Sequence, residues 1–341
     1  MKKCYRYILL SILCLLTAGT APSALAASPG DWVVPVGLAV GIQADCDGVM
    51  VSGLAGVETP SGSVSPAEEA GLRPGDRIVA IGGERVHSGE EFMEKVSGLS
   101  GESVELQAVR GGKTVSALVT PRQGPEGRWQ LGLWLRPGVR GIGTVTFWDP
   151  ANGEFGALGH AITLPESGEL FALSSGVITA AKVSSVEPGR SGTPGELCAV
   201  SDPDAVLGVL EENTLQGVFG TAKEPLCAGA AVPVAADSEI CLGEATILST
   251  VDESGPRAYS AQITRISRGE GETRQLSLEV TDPALLSCTG GIVQGMSGSP
   301  ILQNGKLVGA VTHVLVSNPS QGYGISMENM LRPHREEKNA A

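Results

Sequence analysis

Apolar and polar positions alternate over short stretches along most of the 341-residue chain. That is the period of half-buried strands and not of helices. Over 274–280, Leu276, Leu278 and Val280 face one way while Gln275, Ser277 and Glu279 face the other. Further strands are predicted over 36–42, 48–51, 78–81, 104–108, 115–119, 142–148, 170–178, 180–186, 244–250 and 257–266. Asn304-Gly305 between two apolar runs predicts a hairpin. Helical signals are few. Ser65, Pro66 and Glu68 supply a cap, a first-turn proline and a capping box for a helix that Gly71 stops. Ser88 and Glu91 repeat the box for a second helix, on which Phe92 and Val96 share a face. The stretch 283–287 reads as a third, one-turn helix, and the end from His334 reads as a polar tail. Many short strands with few helices predict a mainly β chain built on a barrel or pair of barrels.

Composition sharpens this picture. The chain has 47 Gly, against five Phe, four Tyr and four Trp, which favours tight turns between strands. Its net charge of -13, with no compensating basic run, argues against nucleic acid as a partner. Residues 1–26 combine Lys2, Lys3 and Arg6, an apolar run over 8–16 and a small-residue ending at Ala24-Leu25-Ala26. This is the pattern of a signal peptide, with an uncleaved anchor as the alternative, and it implies export. Beyond it lie Cys46, Cys198, Cys227, Cys241 and Cys288, an odd number without a CxxC pair. Neither a zinc knuckle nor a redox motif is suggested, though 227 and 241 could close a loop.

Two regions carry recognisable chemistry. Residues 65–86, SPAEEAGLRPGDRIVAIGGERV, resemble the core segment of a PDZ domain from bacterial exported proteases. The resemblance implies a small α/β PDZ-like domain over 32–120 that takes a peptide as an added strand. The groove is expected between Gly37, Leu38, Ala39 and Val40 on one side and Phe92 and Val96 on the other. A packing module with an empty groove is the plain alternative. A packed linker is expected over 121–140, with Trp129, Leu131, Leu133 and Trp134 against the next domain. A second domain follows over 141–332, and a polar tail over 333–341.

The second region is TGGIVQGMSGSPILQNGKLVGAVTHV, residues 289–314. Ser297 between Gly295 and Gly298 has the exposure a nucleophilic hydroxyl needs, and neighbouring N–H groups could face a developing oxyanion. The string is similar to the nucleophile loop of trypsin-like serine proteases, which implies a double β-barrel. Ser297 then attacks, and backbone around Gly295, Met296 and Ser297 forms the oxyanion region. Of the four histidines, His160 follows Gly159 and is the favoured base, whereas His313 could line a pocket or simply pack. Asp149, Asp252 and Asp282 all remain open as the orienting acid, and Asp282 serves equally well as a helix cap.

The signal segment, the PDZ-like part, FGALGHAI and the stretch 281–331 together resemble the stage IV sporulation protein B peptidases over about 32–332. The resemblance implies a triad of His160, Asp282 and Ser297 acting by acyl transfer without cofactor or metal. It also implies self-cleavage and self-association through the PDZ-like domain. The site of action would lie between the forespore and mother-cell membranes. The substrate would be the extracytoplasmic part of a membrane regulatory complex, whose cleavage activates intramembrane processing of a mother-cell sigma factor. An idle exported PDZ scaffold and a general quality-control protease are the competing readings.

Overall fold

The computed structural model describes residues 31–165, 167–267, 269 and 272–340; the candidate signal segment lies outside them. The chain is mainly β. Its first half supplies β1 (Trp32–Pro35), β2 (Ala39–Leu54), β3 (Arg77–Ile81), β4 (Val104–Arg110), β5 (Lys113–Val119) and β6 (Leu133–Trp148). Next come β7 (Glu154–Ala157), β8 (Ser175–Glu187), β9 (Glu196–Thr214) and β10 (Gly217–Ala222). With two short pieces, Glu84–Arg85 and Val232–Pro233, these strands form a twelve-stranded sheet. The second half supplies β11 (Gly243–Thr250), β12 (Pro256–Ile266), β13 (Leu276–Val280), β14 (Pro300–Gln303), β15 (Lys306–Val314) and β16 (Gln321–Ser326). These close a barrel in the order β11-β12-β13-β16-β15-β14. Helices are α1 (Pro66–Glu69), α2 (Gly89–Ser97), α3 (Pro283–Thr289) and α4 (Met327–Ala340).

Two long strands tie the parts of the sheet together. The first half of β2 pairs on one edge with β6, from Ala39–Thr144 to Asp45–Gly138. On its other edge it pairs with β8, from Val40–Ala180 to Asp45–Ser175. Val40, Ile42, Ala44 and Cys46 pack there with Phe155, Phe171 and Leu210. Past Gly48, whose φ is +118°, the same strand enters a different core. Val49 and Val51 join Leu72, Ile78, Phe92, Leu106 and Leu131 beneath α1 and α2. A Cβ at Gly48 would run into the Ile78 carbonyl, so the crossing between cores needs glycine.

These pairings move two expected boundaries. Residues 32–46 do not belong with the α2 module, because their backbone edges are paired to β6 and β8. The connection over 121–140 packs on the following domain only at its end, through Val139, and its earlier apolar residues do not. Leu131 lies in the α2 core, where Leu133 and Leu135 pack against it, and β6 begins by pairing Leu133 with Leu54. Strand identity here depends on partners far away in sequence, which local alternation does not encode.

The ends of elements bring smaller corrections. Ser88 caps α2 through Glu91 N–H at 3.2 Å, but Ser65 makes no side-chain cap on α1. The expected polar tail continues α4. His334 is buried, stacked on Phe219 with centroids 4.6 Å apart, and held by Glu212 at 2.8 Å and Glu154 at 3.4 Å. Its inward-facing position was hidden by charged neighbours. The five described cysteines are free thiols, so 227 and 241 do not close a loop.

Candidate active site

The loop between α3 and β14 carries Ser297, and its shape follows from its hydrogen bonds. Met296 N–H donates to the Val293 carbonyl at 3.2 Å, and Ser299 N–H to the Met296 carbonyl at 2.9 Å. Gly298 N–H reaches the Val311 carbonyl at 2.7 Å, tying the turn to β15. Gly295 and Gly298 have φ of +94° and +98°, a region L side chains avoid. Across the sheet, Thr144 N–H donates to the Ser297 carbonyl at 3.0 Å.

Two donors are left over. Among the described residues, neither Gly295 N–H nor Ser297 N–H has an acceptor. The Gln294 carbonyl accepts from Leu197 N–H at 2.9 Å, so a trans, planar peptide turns Gly295 N–H the opposite way. The Met296 carbonyl accepts from Ser299, which orients Ser297 N–H by the same rule. Met296 N–H is already committed within the loop, and its side chain is fully buried in the barrel core.

The two serines of the motif are physically distinct. Ser299 is fully buried and bonds Ser249 Oγ at 2.9 Å. Ser297 lines an open cleft of about 320 Å³ with His160, Gln294, Gly295, Ile42 and Leu158. Its Oγ donates to the Thr312 carbonyl at 2.9 Å.

His160 reaches the cleft from the end of β7 through two residues with positive φ, Leu158 and Gly159, both at 69°. Side chains of Thr312 and Ile325 lie about 3 Å from where a Gly159 Cβ would stand, so the loop lies hard against the closed barrel. Asn213 fixes the exit. It accepts from Ile162 N–H at 2.9 Å and donates to the Ile162 and Phe171 carbonyls at 2.9 and 2.8 Å. His160 Nδ1 lies 2.8 Å from the Ala161 carbonyl, which can only accept, so Nδ1 carries the proton and a neutral ring keeps Nε2 as a base. Burial holds its pKa below the ordinary imidazole value, against the opposing pull of the Ala161 carbonyl.

His313 packs against that ring, with centroids 5.3 Å apart and planes tilted by 42°. Burial first, then the nearby His160 and Arg274, push its pKa down to about 4. Its Nδ1 is buried without a hydrogen-bond partner among the described residues.

The structure does not bring Asp282 to this pair. Its carboxylate caps α3, accepting from Ala284 and Leu285 N–H at 2.9 and 3.1 Å and from Ser260 N–H at 3.3 Å. These N–H groups, led by that of Leu285, hold its pKa below the usual carboxylate value. Asp followed by Pro starts the helix with this carboxylate as its cap, and Asp282 does not line the cleft that holds Ser297 and His160. Asp149 accepts from Ala151 N–H at 2.8 Å and Asp252 pairs with Arg257. Among the described residues, no acid bonds His160.

The peptide groove also lies elsewhere than expected. Gly37 and Leu38 are taken up by bonds to Val145, while Ala39 and Val40 lie in the stretch of β2 paired to β6, with β8 on the far edge. A strand paired on both edges cannot accept another. Phe92 and Val96 instead face Leu131, Gly132, Leu133 and Trp134 across a groove of about 680 Å³. There β6 pairs with β2 on one edge only, and Gly132 turns with φ +72°. The signal that could have found this edge is the Leu131-Gly-Leu133-Trp-Leu135 alternation. Thr144 and Asn213 had no such signal.

Fold and site together define the class: a mainly β serine peptidase joined to a PDZ module. The family model described as SpoIVB peptidase S55 matches residues 127–331, and that of the PDZ domain matches 62–110. The chain belongs to the SpoIVB peptidase S55 family.

Other similarities are local. Zinc metalloprotease RasP of Geobacillus kaustophilus is 40% identical over 63 residues, 18% of this chain and 14% of that protein. A Bartonella henselae protein with a zinc-metalloprotease name is 33% identical over 90 residues, 26% of this chain and 24% of that one. The chain thus matches about a quarter or less of these relatives' length. Among the described residues, no group of three or more His, Cys, Asp or Glu side chains could hold a metal ion. The PDZ domain of the SdrC-like protein from Listeria monocytogenes is 26% identical, covering 26% of this chain and 87% of that one at a TM-score of 0.22. The inactive form of the Rv3671c protease is 13% identical, covering 58% and 84% at a TM-score of 0.36. Among the described residues, no helix is long and apolar enough to cross a membrane.

Proposed function

We propose that the chain is a serine endopeptidase in which Ser297 is the nucleophile and His160 the general base. The observation that carries this reading is the convergence of Ser297, a Nδ1-protonated His160 and the open Gly295 edge on one cleft. At rest the Ser297 hydroxyl is turned to the Thr312 carbonyl. A rotation about its Cα–Cβ bond brings it to His160 Nε2, which takes the proton as Oγ attacks the scissile carbonyl. Gly295 and Ser297 N–H receive the oxyanion. His160 returns the proton to the leaving amine, and water releases the acyl group by the reverse sequence. In this mechanism the Ala161 carbonyl holds the imidazole tautomer and Asp282 keeps its cap, leaving a Ser–His pair in place of the anticipated triad.

The same reading extends to architecture and context. The ring β6-β7-β10-β9-β8-β2, whose ends meet through the β2–β6 pairing, acts as a second barrel opposite the closed one. Export follows from the leader-like 1–26 segment. Family membership supports a role in endospore formation; a membrane regulatory complex as substrate and sigma-factor processing as the outcome rest on the sequence resemblance alone. The groove beside α2 takes a peptide, either the chain's own cleaved end or a partner's tail. Incubation of the full chain with unstructured protein and with itself tests the activity. Cleavage that S297A abolishes supports it. Equal cleavage by wild type and S297A refutes it, and no cleavage of any substrate by wild type favours an idle scaffold.

A further inference from the structure

Three hydrogen bonds that tie β6 to the flanks of Ser297 and to the approach to His160 involve one fully buried residue, Thr144. Its N–H donates to the Ser297 carbonyl at 3.0 Å. Its hydroxyl donates to the Gly295 carbonyl at 2.8 Å. Its own carbonyl accepts from Leu158 N–H at 3.2 Å, two residues before His160. One residue therefore grips the carbonyls on both sides of the nucleophile turn and the backbone that presents the base. A Cβ at Gly298 would run into the Thr144 carbonyl, so this strand lies directly against the turn.

We propose that Thr144 is a positioning residue that sets the distance between base and nucleophile and the aim of the oxyanion donors. The inference rests on the Ser297–His160 reading. The backbone bonds at this position are open to any residue, but the bond to Gly295 requires a hydroxyl. Among the described residues the Gly295 carbonyl has no other donor. Without that bond, only the Met296 N–H bond to the Val293 carbonyl holds the peptide between Gly295 and Met296, and both open N–H groups flank that peptide. Misplacement of preorganised donors lowers the chemical step while leaving substrate binding largely intact. Valine is the nearest isostere and suits a strand, so Thr144→Val removes the hydroxyl alone, and Thr144→Ser restores it without the methyl.

The test combines acylation by a fluorophosphonate probe, the kcat and KM of peptide cleavage, and the amide resonances of Gly295 and Ser297 in the full chain. T144V is expected to lose about tenfold or more in acylation and kcat, with KM within about twofold and both amide signals displaced. T144S is expected to recover most of the rate and the wild-type shifts. Wild-type acylation in T144V, or failure of T144S to recover, overturns the proposal. The amide shifts judge Thr144 whatever the chemistry: unmoved signals in T144V refute it. Equal labelling of wild type and S297A instead refutes the nucleophile assignment.

Discussion

The cleft and the groove are the two places where we propose that this chain holds a peptide, and they are built on opposite principles. The cleft is assembled from short turns held by hydrogen bonds on both flanks of Ser297, which orient Gly295 and Ser297 N–H and leave them without an acceptor among the described residues. The groove beside α2 runs along the edge of β6, from Leu133 to Leu135, that pairs with no strand among the described residues, with exposed Trp134 and Met93 beside it. A rigid turn suits chemistry, where donors must already face the developing charge. An open edge suits recognition, where an incoming strand supplies the missing bonds. Strand β6 belongs to both, with Leu133 at the groove and Thr144 at the nucleophile turn.

The comparison can be broken most severely at the cleft. His160→Ala should cut fluorophosphonate acylation by about 10²–10⁴-fold, the contribution of a general base, with the groove's peptide affinity unchanged. Equal loss at both sites would show that the variant had unfolded.

At the groove, a peptide with a free apolar C-terminus should shift amide signals at 131–135 and leave 38–40 unmoved in the full chain. Met93→Lys should weaken that binding about tenfold, since it places a charge on the apolar wall, and leave acylation within about twofold. A fragment ending near residue 122 is unsuitable, because it lacks the edge strand. Shifts at 38–40 alone would restore the groove that the pairing of β2 rules out.

The pH profile should be asymmetric in a defined direction. Burial depresses His160, so the neutral, basic form persists below the ordinary imidazole value of about 6.5. Acylation should stay flat as pH falls through 6.5 and decline only below it. Stability follows the same sign: a His buried neutral favours the fold above its unfolded pKa, and that contribution fades as pH falls toward the folded one. A midpoint at or above 6.5 would mean an acid has joined His160.

The smallest effect should come from Asp282→Asn. Asn caps a helix about as well as Asp, so melting temperature and acylation should both stay near wild type. Asp282→Ala should cost about 1 kcal/mol of stability through the lost cap. A loss of orders of magnitude in D282N acylation, with normal melting, would instead return Asp282 to the triad.

The same contrast explains what could be read in advance. The turn that carries Ser297 was legible because glycine on each side of a serine states a local backbone requirement, and Gly159 before His160 states another. Ser297 and Ser299 were separable for the same reason, and the structure gives them different surroundings. The groove was misplaced because an apolar run such as 36–42 declares a strand without declaring its partners. Only the paired edges of β2 show that this run is interior, whereas Leu133–Leu135 of β6 pair on one edge alone among the described residues. Asp282 was ambiguous in a different way: Asp before Pro fits a cap and an acid alike, and in the structure three N–H groups bond its carboxylate. Thr144 gave no signal, since a threonine in a strand is ordinary until its hydroxyl is seen to reach Gly295.

The most direct measurement is the location of the covalent adduct. The full chain is labelled with a fluorophosphonate, digested, and the modified peptide sequenced by mass spectrometry. The account predicts a single adduct on Ser297, absent in S297A and strongly reduced in H160A. An adduct on Ser299 or any other residue, or labelling that survives in S297A, would contradict it.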